Sequence, residues 1–245
     1  MSDHAPGRPH SHTHHQGGHF DSIAHEYDEA IPAHVMEHYH RKRVAMIRRW
    51  APPRAKVLDM GCGTGALLKR CEPYFTVFGV DPSGGMLRVL ATPRPDSRLA
   101  AADGSRLPFR QGVFDLVYCV AVLHHVIDPA AVKATLGEMV RVTSPGGHVI
   151  VWDHNPRNPY WPYLMKRVPQ DHGDERLVPE REIFDGLEAG GAEVVSSEQL
   201  GLMPDFAPRP LVGAFAGLES LVERVPGARR LCAHNVVVAR RRTSR

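Results

Sequence analysis

The sequence predicts an α/β fold built on a mostly parallel sheet covered on both faces. Three observations carry this. Short apolar runs alternate with amphipathic stretches between residues 55 and 155, the order that yields parallel strands joined by helical crossovers. The run FDLVYCVAVL is apolar at nearly every position, as a strand buried on both faces must be. The run AKVLDM leads straight into the glycine-rich GCGTG and then a helix. The length of 245 residues, with 42% hydrophobic and 23% charged, suits a globular chain of one or two domains. It allows a sizeable core without disulfides or metals.

The elements follow in order. Residues 1–19 hold six histidines and no Leu, Ile or Val. Such a stretch cannot bury a core, so a disordered His-rich tail is expected, with adventitious metal affinity at most. Order should begin at Phe20, since Phe20, Ile23, Ala24 and Tyr27 share one helical face. A second helix is predicted from His34 to Trp50, with Val35, Tyr39, Val44 and Ile47 inward, HRKR on the wet side, and Pro52 and Pro53 as the stop. AKVLDM, TVFGVD, LAAAD, FDLVYCVAVL and GGHVIVWDH read as five strands. GALLKRCE, GGMLRVLA and DPAAVKATLGEMVRVT read as the helices among them. Beyond Asn155 the chain turns Pro-rich. PEREIFDGLEAGG should be a helix ended by glycine, and AEVVSSEQ and HNVVVARR the final strands. The expected organisation is one domain over 20–239, flanked by the tail 1–19 and a basic tail 240–245.

Composition excludes several classes. No window approaches the roughly 18 consecutive apolar residues of a membrane span, so integral membrane association is not expected. No apolar h-region suggests a secretory signal. Cys62, Cys71, Cys119 and Cys232 form no C-x-x-C pair, which suits a reducing cytoplasm. Four of the arginines behind the net charge of +3 lie in RRRTSR at the end of the chain. The remainder is close to neutral, which argues against a nucleic-acid partner.

The most informative stretch is VLDMGCGTGALL, residues 57–68. Glycines there let backbone approach a ligand and aim helix N-terminal amides at an anion. Gly61, Gly63 and Ala66 fit the dinucleotide pattern; Gly61, Gly63 and Gly65 fit a tighter one. Three acids favour another ligand. Asp59 would repel a pyrophosphate and suit an ammonium group, directly or through water, or it caps nearby amides. Asp81 ends the second strand, where a carboxylate can accept both ribose hydroxyls. Asp103 ends the third, placed for an exocyclic amine on adenine. Together they describe a nucleoside with a cationic amino-acid tail, S-adenosylmethionine.

VLDMGCGTG, VFGVDPSGGML, AADGSRLPF, FDLVYCVAVLHHVIDP and EMVRVTSPGGHVIVWD together resemble the class I SAM-dependent methyltransferases. Within them the likeness is to the branch of ubiquinone/menaquinone-biosynthesis and small-molecule methyltransferases. FDSIAHEYDE is similar to that family's lid helix. The resemblance implies a Rossmann-like, doubly wound, seven-stranded sheet whose last strand runs antiparallel beside the fifth. It implies a helical lid over 20–50 and an acceptor-side segment over 155–231. It places Gly61, Gly63 and Gly65 under the methionine part, Asp81 on the ribose, and Pro82 and Met86 near the adenine. Ala102 and Asp103 fall on the adenine amine, Cys119 near the sulfonium, and Tyr27 over the cofactor.

In-line alignment supplies much of the barrier reduction in methyl transfer, and a general base is needed only for a poorly acidic acceptor. His124, His125 and His154 are the catalytic candidates; no metal is expected. Trp152, His154, Tyr160 and Trp161 would line a pocket for a ring or apolar chain. The apolar segment 200–231 would cover that pocket, form a homodimer contact or fill the core. The reading is O- or C-methylation of a small hydrophobic acceptor. The alternatives are a protein or nucleic-acid methyltransferase, or a non-catalytic SAM- or metal-binding protein.

Overall fold

The computed structural model describes residues 13–91, 98–166 and 175–243. The elements run α1 (Thr13–Ile23), α2 (Ala33–Trp50), β1 (Lys56–Met60), α3 (Ala66–Cys71), β2 (Thr76–Asp81), α4 (Gly84–Ala91), β3 (Leu99–Ala101) and β4 (Phe114–Val120). They continue with α5 (Pro129–Val142), β5 (Thr143–His154), α6 (Trp161–Leu164), α7 (Glu180–Ala189), β6 (Ala192–Leu200), α8 (Val212–Arg224), α9 (Pro226–Arg229) and β7 (His234–Arg241). The sheet order is β3-β2-β1-β4-β5-β7-β6. Strands β1 to β5 pair in parallel, and β7 is antiparallel to both β5 and β6. The chain reverses its direction of growth between β1 and β4, and that crevice is where doubly wound sheets bind ligands.

Strand alternation distributes the core between two faces. Val117 and Cys119 of β4, Val149 and Val151 of β5, and Val237 and Ala239 of β7 pack under α5 and α7 with Leu136, Met139, Ile183 and Leu187. Their neighbours Leu116, Tyr118, Ile150, Trp152, Val236 and Val238 pack under α2 and α3 with Ile47, Leu67 and Leu68. Helix α5 starts where Pro129 cannot continue a strand, and the Asp128 carboxylate caps it by accepting from Ala130 N at 2.9 Å.

Four expectations need correction. Helix α1 begins at Thr13, inside the stretch expected to be disordered; residues 1–12 of that tail lie outside the described residues. The basic tail does not start at residue 240: β7 runs to Arg241, whose guanidinium donates to the carbonyls of Arg141, at 2.8 Å, and Thr143, and Arg242 N donates to Gly191 O at 3.1 Å; residues 244–245 lie outside the described residues. HRKR is only partly a wet face: Arg41 is exposed, but the rest is not. His40 is buried, Lys42 pairs with Glu219 and Glu223, and the Arg43 guanidinium lies 5.5 Å from the Tyr39 ring centre. Lys42 is met there by segment 200–224, which lies on α2 through Met203, Ala207, Val212 and Phe215 against Val35 and Tyr39. The segment thus covers α2 and contributes nothing to the lining of the cavity described next.

Candidate active site

A cavity of about 490 Å³ opens at the carboxyl ends of β1, β2 and β4. Its lining includes Tyr27, Gly61, Gly63, Asp81, Pro82, Met86, Ala102, Asp103 and His125. Asp59, Gly65, Cys119, His124 and His154, also expected at the site, are not among the lining residues.

The glycine loop shows why three glycines are there. All three have positive φ, at 75°, 51° and 75° for Gly61, Gly63 and Gly65. A Cβ on Gly61 would sit 2.4 Å from Val122 Cγ2, and one on Gly65 would sit 2.2 Å from Leu90 Cδ1. These two are packing glycines. A Cβ on Gly63, which lines the cavity, would meet nothing within 4 Å. Three loop amides are taken by acceptors within the chain, one of them a carboxylate, rather than left for a bound anion. Gly61 N and Cys62 N donate to Val80 O at 2.7 and 3.0 Å, and Gly63 N donates to Asp81 Oδ2 at 2.8 Å.

The electrostatics point the same way. Asp81, Asp103 and Asp128 line the cavity, and no Lys or Arg does among the described residues. A dinucleotide's diphosphate would meet three carboxylates with no cation and few free amides; a sulfonium with an ammonium tail would be welcomed. Asp81 Oδ1 also accepts from Ser83 N at 2.9 Å. Burial raises its carboxyl above the ordinary value, against these two amide bonds. Asp103 accepts from Ser105 N and Oγ at 2.7 and 2.6 Å, both on Oδ1. The residues present therefore fit S-adenosylmethionine: carboxylates and no cation line the cavity among the described residues, beside open space at Gly63.

Asp59 and Cys119 miss the cavity for one reason: both lie within β-strands just short of the ends that turn into it. Burial pushes Asp59 up to about 7, while the Tyr118 hydroxyl, donating to it, pulls the other way. Cys119 packs in the core under α5, and burial raises its thiol well above the ordinary value. The next residues, Val120, Ala121 and Val122, line the cavity instead. Ala121 has φ 55°, a conformation costly for a residue with a Cβ. Its amide is held by Trp152 O at 2.8 Å. An alanine carries no sequence signal for such a turn.

The N-terminal section forms the roof. Phe20 and Tyr27 line the cavity, and the Phe20 ring stands edge-on to His125 with centroids 5.1 Å apart. Two carboxylates fasten it. Asp28 accepts from Thr64 Oγ1 at 2.8 and 3.0 Å, on the glycine loop. Asp21 Oδ1 accepts from Ser83 Oγ and Gly85 N, each at 2.6 Å, at the start of α4. These bonds hold the Asp21 carboxyl below its ordinary value. Sequence reasoning placed Phe20 on the helix face but missed it, Ile127 and Asp128 as lining residues. The HVIDP stretch before a helix was the available signal for the last two.

Behind His125 lie the other two candidate histidines. The His124 ring is 4.0 Å from that of His125 and 4.0 Å from that of His154. His124 Nδ1 bonds Asp153 Oδ1 at 2.9 Å. Burial raises Asp153, but His124 and the amides of His154 and Leu123 outweigh it and hold the carboxyl below its ordinary value. His154 is 7% exposed and stacks on Trp161 at 3.6 Å. Burial and the neighbouring histidines push its imidazole well below 6.5, so it is neutral. Trp152, His154 and Trp161 are buried and are not among the residues lining this cavity, and Tyr160 is half-buried. His124, Asp153 and His154 bring ligand-type atoms within 4.8 Å of one another. The Asp153 oxygens, however, already accept from Val122 N, Leu123 N, His124 Nδ1 and His154 N. That saturates the carboxylate in a structural knot.

Fold and cavity together define a doubly wound α/β protein that takes a cationic nucleoside at its topological switch point. A family model described as a methyltransferase domain matches residues 58–151. The demethylmenaquinone methyltransferase of Renibacterium salmoninarum is 35% identical over 161 residues, covering 61% of this chain and 65% of that protein. That of Streptomyces avermitilis is 33% identical over 161 residues, covering 61% and 67%. The chain spans about three fifths of the length of the first curated relatives it matches, from 57% to 65%. A solved SAM-dependent methyltransferase from Thermotoga maritima superposes with a TM-score of 0.66 at 17% identity, covering 94% of this chain and 100% of that one. That likeness bears on the fold. The chain belongs to the SAM-dependent methyltransferases, whose cofactor is S-adenosylmethionine.

Proposed function

We propose that this chain transfers a methyl group from S-adenosylmethionine to a small hydrophobic acceptor of quinone type, at carbon or oxygen. The observation that carries the reading is the cavity: acidic without a lining cation, cradled at Gly63, and otherwise apolar. The names of the relatives support the acceptor class. The bound cofactor supplies an electrophilic methyl group on its sulfonium. Asp81 accepts the ribose hydroxyls and Asp103 the adenine amine, while Pro82 and Met86 flank the base. Phe20 and Tyr27 exclude water from above. Val122, Val126, Ile127 and Ala131 offer an apolar wall for the acceptor. His125, the imidazole on the cavity wall, accepts the acceptor's proton at a ring nitrogen. His124 and His154 act through it as positioning residues, anchored by Asp153. Among the described residues no helix is long and apolar enough to cross a membrane. Four free, buried cysteines support a reducing compartment and a cytoplasmic location.

The test is calorimetric titration of the full chain with S-adenosylhomocysteine, with NAD as control, followed by transfer of labelled methyl to a demethylmenaquinol. Binding of the first compound alone and label in the quinol are expected. Binding of NAD alone overturns the cofactor assignment. Cofactor binding without label transfer, while other small phenols or enols are methylated, overturns only the acceptor.

A further inference from the structure

The segment between β6 and β7 has two unlike sides. Inward, it packs on α2 through Met203, Ala207 and Phe215. Outward, Leu211, Ala214, Leu218, Leu221 and Val225 follow one another at spacings of three and four residues, all exposed, which places them on one helical stripe. Leu221 is 61% exposed, and the flanking Phe206 and Leu231 are 72% and 55% exposed. An exposed apolar stripe of this length marks an interaction site.

The charges say what it meets. The segment carries three acids, and all turn away from solvent. Glu219 is 2% exposed and accepts from Lys42 Nζ, His38 Nε2, Leu202 N and Met203 N. Glu223 accepts from Lys42 Nζ and Gly201 N, and Asp205 Oδ2 is buried. The cations remain outside: Arg209, Arg224 and Arg230 are exposed. Segment 155–166 adjoins them, its Asn155 and Asn158 donating to Arg230 O and Leu231 O. It adds exposed Tyr163, Arg157 and Lys166 and has no acid. A second copy on a two-fold axis would bring these arginines against their own kind. An apolar stripe whose own segment and the adjoining 155–166 expose arginines and a lysine and no acid complements an anionic lipid surface.

We infer that this face docks peripherally on the surface of an anionic lipid bilayer, the apolar side chains entering the interface and the arginines meeting the headgroups. The inference stands on this surface alone and does not depend on the methyl-transfer reading. Co-sedimentation of the full chain with vesicles of phosphatidylcholine, and of phosphatidylcholine mixed with phosphatidylglycerol, tests it. Binding to the mixed vesicles that weakens with salt is expected. Each of Arg224→Gln and Arg230→Gln should weaken it by about fivefold. Leu218→Glu with Leu221→Glu should abolish it. Unchanged circular dichroism and unchanged affinity for S-adenosylhomocysteine show that the variants are folded. Equal binding to both vesicles, no binding to either, or a dimer in sedimentation velocity that the double Glu variant dissolves would each overturn the inference.

Discussion

At the scale of single residues, the glycine loop separates packing from ligand contact. Gly63 has positive φ and open space where its Cβ would be, whereas Gly65 faces buried Leu90. Gly63→Val should therefore abolish S-adenosylhomocysteine binding through occupied space. Gly65→Ala should instead lower the melting temperature first. Calorimetry beside thermal melts on both variants checks this; an unchanged dissociation constant in Gly63→Val sinks the cradle. Asp81→Ala removes a carboxylate expected to make two charge-assisted bonds to the ribose. It should weaken binding by about 2–4 kcal/mol, from roughly 1.5–3 each with imperfect additivity. Affinity within about twofold of wild type, which is about 0.4 kcal/mol, contradicts that role. Motif spacing revealed these positions because glycines and acids at strand ends carry their own signature. The one-residue offset between Cys119 and the lining residue Val120 was hidden: an all-apolar strand does not announce its phase.

Among the elements, the roof over the cavity is the part whose stability decides function. The α1 section meets the sheet domain through two carboxylates, the Phe20 ring edge-on to His125 and one close backbone approach. A Cβ on Gly85 would lie 2.8 Å from Asp21 Cα, so α1 settles on α4 only because that residue is glycine. The Asp28–Thr64 bond is the latch nearest the glycine loop. Asp28→Ala and Thr64→Val should each speed release of S-adenosylhomocysteine by about two- to tenfold, the equivalent of one hydrogen bond of about 0.5–1.5 kcal/mol. The double variant should release no faster than either single one, because both remove the same bond. Stopped-flow release rates decide it, and additive effects would mean that the two side chains act separately. None of this latch was legible in the sequence. Asp28 and Thr64 are ordinary polar residues 36 positions apart, and only the fold brings them together.

Across the whole molecule, the seven-stranded sheet was readable because nearly every central strand is buried on both faces. Long-range charge pairing was not. Lys42 belongs to HRKR, expected on the wet side of α2, yet its partner Glu219 lies 177 positions away, and His38, of which the sequence says nothing, meets the same carboxylate from 181 positions away. The same folding draws histidines indoors, and this fixes the response to acid. Burial lowers His40 to about 4 and His234 to about 3, and His154 well below the ordinary 6.5. Their contribution to stability is complete above 6.5. It is lost as pH falls below that value, because the unfolded chain takes up protons that the folded chain refuses. Asp59 opposes them. Raised from 3.8 to about 7, it keeps its proton in the folded state, so its contribution grows on acidification across the same window. His148 is lowered in the same way, and Asp81 and Asp205 are raised by burial like Asp59; four histidines outnumber three carboxylates, so unfolding still takes up protons as the pH falls. Asp153 and Glu219, held below their ordinary values of 3.8 and 4.5, add their losses only below those values. Urea melts between about pH 7.5 and about pH 5 should thus show stability falling as acid is added. His234→Phe should flatten the slope by one proton. A midpoint that holds constant or rises across that window would mean that these imidazoles find proton acceptors and are not buried neutral.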